Sequence, residues 1–67
     1  MATNTTIGEN IQKRRMKLGL SQEDFAQKSG VKYTTLTKIE SGVIKKPSVL
    51  IMAKIAKALG VSIENLL

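Results

Sequence analysis

SQEDFAQKSGVKYTTLTKIESG, residues 21–42, reads as two short helices joined by a tight turn centred on Gly30. Ser21 is of the type that caps a helix N-terminus. Asp24 stands at the position that reaches back to such a cap, and Glu23 and Asp24 put acids where the helix dipole favours them. The first helix is expected over residues 22–28, burying Phe25 and Ala26. Gly30 supplies the positive φ that ends it, and Val31 packs back under the turn. A second helix then starts near Lys32 or Tyr33 and stops at Ser41-Gly42. Leu36 and Ile39 face its core side. Tyr33, Thr34, Thr37 and Lys38, at i, i+1, i+4 and i+5, lie together on the outside.

Working outward, residues 1–5 are small and polar and are expected to form a disordered arm, leaving residues 6–67 as one domain. Thr6 and Glu9 have capping-box spacing, and Ile7, Ile11 and Leu18 recur on one helical face. A helix is expected over residues 7–18, closed near Gly19. Lys13, Arg14, Arg15 and Lys17 crowd its second half, where cations suit the negative end of the dipole as well as a polyanion. After residue 42 comes a basic linker with Lys45 and Lys46 ahead of Pro47, which forbids a continuous helix. Ser48 can cap a helix over residues 49–59, with Leu50, Ile51, Ile55, Ala58 and Leu59 read as its core face. Ser62 caps a last turn bearing Ile63, Leu66 and Leu67. No strand-like alternation or internal repeat interrupts this all-α pattern.

Composition narrows the function. The 67 residues contain no Cys and no His, which excludes disulfides, thiolate or imidazole metal sites and Cys/His or Ser/His catalysis. Five scattered carboxylates and no phosphate-cradling glycine loop leave nothing for acid–base chemistry, so no enzyme and no cofactor is expected. Eleven Lys and Arg against five Asp and Glu give a net charge of +6, which suits a polyanion, with an anionic membrane surface the competitor on charge alone. The start MATNTTIGEN lacks the parts of a signal peptide, and the longest apolar run, residues 49–53, is far short of the ~20 residues of a membrane span. A cytoplasmic protein is expected.

The motifs LGLSQEDFA, KSGV, LTKIESG, KKPS and AKALGVS with the trailing ENLL, in this order and spacing, resemble the Xre-type helix-turn-helix regulators, the phage repressor and Cro family. The resemblance covers residues 7–67. It implies a compact five-helix bundle with the helix-turn-helix at helices 2 and 3, the former across the DNA backbone and the latter in the major groove. It implies a transcriptional regulator of double-stranded DNA, a repressor that binds a palindromic operator as a homodimer. The alternative is a protein-interaction module, such as an antitoxin that clamps a toxin and regulates its own promoter, or an adaptor touching RNA polymerase through Glu23 and Asp24. Two positions depart from the family: Lys32 stands where a capping Ser or Thr is frequent, and Ser29 where a buried side chain is common.

Carried onto this chain, the resemblance places base contacts at Tyr33, Thr34, Thr37 and Lys38, with Lys32. A second reading packs Tyr33 flat over the turn. Phosphate contacts are expected from the start of helix 2 with Gln22, from Lys45 and Lys46, and from the Ser41 and Ser48 hydroxyls. The family also pairs a helix 1 arginine with a glutamate ending the recognition helix, which here are Arg15 and Glu40, Arg15 also being in reach of a phosphate. A dimer surface is expected from Ile44, Ile63, Leu66 and Leu67, against the plainer reading that Ile63 and Leu66 cap the core.

Overall fold

The computed structural model describes residues 6–67, so the arm expected over residues 1–5 lies outside the described residues. Caps punctuate the chain. Thr6 Oγ1 accepts from the Glu9 amide and the Glu9 carboxylate accepts from the Thr6 amide, each at 3.1 Å, and this reciprocal box opens α1 (Ile7–Lys17). Ser21 Oγ accepts from the Asp24 amide at 3.0 Å to open α2 (Gln22–Ser29). Gly30 ends α2 with φ +77°, a conformation that β-carbon-bearing residues rarely adopt. α3 (Tyr33–Ser41) starts at Lys32 without any side-chain cap. Ser48 Oγ accepts from the Ile51 amide at 3.3 Å and opens α4 (Val49–Leu59).

Because Lys32 leaves the amides at the tip of α3 without a side-chain acceptor, Lys32→Ser is expected to stabilise the domain by about 0.5–1 kcal/mol. A urea midpoint that fails to rise would show those amides to be satisfied already.

α3 lies between α1 and α2, while α4 packs on α2 and α1 from the other side. Phe25, Ile11, Leu36, Ile39, Ile55 and Leu66 are fully buried where these helices meet. Each such side chain contributes roughly 1.5–3 kcal/mol on leaving water. Ala26 and Val31 complete the packing of the turn against this core.

Three expectations are corrected. The described residues form four α-helices, and in place of a fifth the chain makes a single 3-10 turn, Ile63–Leu66. Four residues capped at Ser62 close through i→i+3 bonds, Asn65 N to Ser62 O at 3.1 Å and Leu67 N to Glu64 O at 3.2 Å. Leu50 is 66% exposed, and Met52 and Ala56 stand with Ile55 on the buried face of α4 instead. Five residues before Ile55, Leu50 sits about 140° around the helix from it, on the solvent side. Leu18 falls just past the last residue of α1 and is 48% exposed.

The 3-10 turn is tied back to α1. Asn10 Nδ2 donates to the Asn65 carbonyl at 2.9 Å, and Arg14 donates to the same carbonyl at 3.4 Å and to Asn10 Oδ1 at 2.8 Å. Arg14 thus joins two elements.

Candidate nucleic-acid interface

α3 shows two chemically different sides. Leu36, Ile39 and Glu40 are buried, whereas Tyr33, Thr34 and Lys38 are exposed and Thr37 is half-buried on the outward side. Thr37 Oγ1 donates to the Thr34 carbonyl at 2.8 Å. Its hydroxyl proton is therefore committed to the helix, leaving its methyl group as the part best suited to a groove. Tyr33 is 48% exposed and its ring borders a hollow of about 370 Å³ with Ala26 and Val31, over the turn. Nearly half of its surface stays open. Lys32 is exposed at the N-terminal tip.

Behind this face sits a buried polar triangle. Arg15 Nε donates to Glu40 Oε2 at 2.8 Å and Arg15 Nη2 to Glu40 Oε1 at 3.0 Å, the fork geometry in which guanidinium and carboxylate fit best. Arg15 Nη1 donates to the Leu20 carbonyl at 2.7 Å, and Gln22 Nε2 donates to Glu40 Oε1 at 3.0 Å. The two charged side chains keep only 9% and 3% of their surface. Two residues 25 apart in sequence thus clamp α1 to the end of α3, and Gln22 attaches the start of α2 to the same carboxylate. Among the described residues no buried side-chain nitrogen or oxygen lacks a partner.

This geometry corrects one phosphate assignment. Arg15 is buried and turned inward, with donors spent on Glu40 and Leu20, so it offers no edge to a phosphate. Ser41 is exposed at the end of α3, where its Oγ donates to the Lys38 carbonyl at 3.2 Å. Gln22 is half-buried with its amide nitrogen on Glu40. Sequence reasoning missed the Gln22 bond because a helix N1 glutamine carries no local sign of a partner 18 residues away. Ser48, by contrast, uses its oxygen as the cap acceptor and keeps its proton to donate. Lys45 and Lys46 are exposed on the linker.

The expected dimer residues separate. Leu66 is 0% exposed and belongs to the core, which removes it from any surface, because the 3-10 turn points it back among Ile11 and the other core residues. Ile44 and Ile63 are half-buried against that core, and Leu67 is 73% exposed. Val43, Val49 and Leu50 are also exposed apolar groups.

Among the described residues no cluster of acidic side chains could hold a metal ion, and no helix is long and apolar enough to cross a membrane.

Comparison with known proteins places this geometry in a family. Residues 11–66 match the helix-turn-helix family. The HTH-type transcriptional regulator SinR of Bacillus subtilis is 34% identical over 61 residues, 91% of this chain and 55% of SinR, so the chain spans about half the length of that relative. An uncharacterized HTH-type transcriptional regulator of Methanothermobacter thermautotrophicus is 40% identical over 50 residues, 75% of this chain and 71% of that protein. Among solved structures, SinR, the master regulator for biofilm formation, in complex with DNA, superposes with a TM-score of 0.88 at 33% identity, covering 91% of this chain and 97% of that one. The restriction-modification controller protein C.AhdI from Aeromonas hydrophila superposes with a TM-score of 0.86 at 28% identity, covering 94% of each chain. With this match over most of its length, and with helices α2 and α3 set about the Gly30 turn, the chain belongs to the helix-turn-helix family of the phage-repressor and Cro type, a family of regulators and not of enzymes.

Proposed function

We propose that this chain is a DNA-binding transcriptional regulator that lays α3 in the major groove of double-stranded DNA. The observation that carries the reading is the two-sided α3, anchored by Leu36, Ile39 and Glu40 and open along Tyr33, Thr34, Thr37 and Lys38. An outer face of this size and polarity suits base edges, and the likeness to SinR, whose structure holds DNA, supports it. Lys38 donates to guanine, and the methyl groups of Thr34 and Thr37 meet thymine methyl groups. Lys45, Lys46 and the Ser48 hydroxyl, with the free amides opening α2 beside Gln22, hold phosphates and set the register.

One such domain makes few base contacts. The regulator therefore acts as a homodimer on a palindromic operator, its half-sites about 34 Å apart. Leu67, with the half-buried Ile63 and Ile44, supplies the apolar contact, and blocking a promoter in the cytoplasm makes the protein a repressor. Selection of bound sites from random DNA at two salt concentrations tests the whole reading. A palindromic consensus is the expected result, whereas recovery of no consensus at either salt would favour a protein-interaction module, the partner then being a toxin or RNA polymerase.

Two substitutions separate base reading from backbone grip. Lys38→Ala is expected to cost about 1–3 kcal/mol on the preferred sequence and much less on mismatched DNA. Lys45→Ala with Lys46→Ala should weaken all sequences alike and make the plot of log affinity against log salt shallower by about 2. A uniform loss from Lys38→Ala would move that residue to the phosphate set.

A further inference from the structure

A second set of cations lies away from the Lys45–Lys46 linker. Lys28, Lys54 and Lys57 line one shallow hollow of about 430 Å³ where the end of α2 meets α4. Lys54 also lines the adjoining hollow of about 360 Å³, together with Lys32 and Thr35 at the start of α3. The two hollows share Lys54 and so form one concave strip running from the tip of the recognition helix along the seam between α2 and α4. It carries four of the chain's eleven cations, all exposed. Among the described residues no carboxylate and no aromatic side chain lines either hollow, and none of the four lysines is in an ion pair.

Helix dipoles account for part of this. Lys28 and Lys57 sit in the last turns of their helices, where cations are favoured. Lys54, in the middle of α4, and Lys32, at the N-terminal end of α3 where the dipole opposes it, have no such account.

We propose that Lys28, Lys54 and Lys57, continuing from Lys32, bind the DNA backbone that flanks the site read by α3; the proposal rests on the DNA-binding reading above. Three features favour phosphates over an acidic protein surface. The strip begins at Lys32, where α3 enters the groove, so a duplex held by α3 passes its mouth. Its charge is all lysine, whose long flexible stems can follow a row of phosphates spaced along a backbone. It has no aromatic or arginine anchor of the kind that dominates protein–protein binding.

The test uses the whole chain and the triple variant Lys28→Gln, Lys54→Gln, Lys57→Gln, whose exposed positions leave the fold intact, as a thermal melt will verify. Two duplexes carry a site selected by the chain from random DNA, one trimmed to the site and one with a helical turn, about 10 base pairs, added on each side. On the long duplex the variant is expected to bind at least about tenfold more weakly at ~0.1 M salt, with its log–log salt slope shallower by about 2–3. On the trimmed duplex the two proteins should agree within about twofold.

Equal losses on both duplexes would overturn the flanking contact, and so would no loss on either. Binding of poly-L-glutamate by the wild type, lost in the variant while both DNA affinities hold, would overturn it in favour of an acidic protein partner. A wild type that binds neither duplex removes the DNA reading itself and this proposal with it.

Discussion

Arg15→Ala is expected to destabilise the domain by about 3–5 kcal/mol, the cost of leaving a buried charge without its partner. A domain of this length has roughly 3–10 kcal/mol to lose in total, so the variant should be largely unfolded or close to it at 25 °C. The loss follows from burial: Glu40 keeps 3% of its side-chain surface and would retain only the Gln22 amide as a bonding partner. It also follows from what the pair joins, since the guanidinium reaches Glu40 on α3 and the Leu20 carbonyl before α2. Glu40→Ala should behave alike, stranding the guanidinium.

Replacing both by apolar residues of similar size, Arg15→Met with Glu40→Leu, should recover most of the loss, because two desolvation penalties disappear together. Chemical denaturation of the two single variants and the pair gives a coupling energy. A single-variant loss under about 1 kcal/mol, the range of exposed pairs, would mean that water reaches the pair in solution.

Gly8→Ala should destabilise by at least about 2 kcal/mol, although helix propensity alone predicts the opposite. Alanine is favoured over glycine inside a helix by roughly 0.5–1 kcal/mol. Here, however, a β-carbon on Gly8 would fall well inside contact distance of the Ile39 carbonyl oxygen and 3.0 Å from that of Glu40. Both obstacles are backbone, which cannot rotate away as a side chain does, so α1 and α3 would have to separate. Overpacking of this kind typically costs 1–3 kcal/mol, occasionally more, about enough to reverse the propensity gain several times over.

The Ile39 carbonyl also accepts from the Gly42 amide at 3.2 Å, so the displacement would loosen the C-terminal cap of α3. Since the same turn carries Glu40, Gly8→Ala and Arg15→Ala should be non-additive. An unchanged or higher urea midpoint for Gly8→Ala would rule out the close crossing of α1 over α3.

Local chemistry alone decided a good deal of this protein. Thr6, Ser21, Ser48 and Ser62 cap where their side chains can reach the third amide along, and Gly30 ends α2 because little else tolerates its φ; these signals act within one turn of the chain. They set the helix boundaries to within a residue, with α4 spanning residues 49–59 as its pattern predicts. The outer face of α3 was equally legible, because helical periodicity alone puts Tyr33, Thr34, Thr37 and Lys38 together.

Tertiary packing decided the rest, for want of any local sign. Gly8 reads as a weak helix residue until α3 is seen to cross it. The Arg15–Glu40 pair was implied by resemblance and not by spacing, and the bond from Gln22 to Glu40 has no local sign in the sequence. Which apolar residues of α4 and of the last turn are inside depends on the direction from which α1 and α2 approach. That direction turns Leu50 outward and Leu66 inward, although both are leucines of the same intrinsic hydrophobicity. Periodicity states that a helix has an apolar side; only its neighbours state where that side must point.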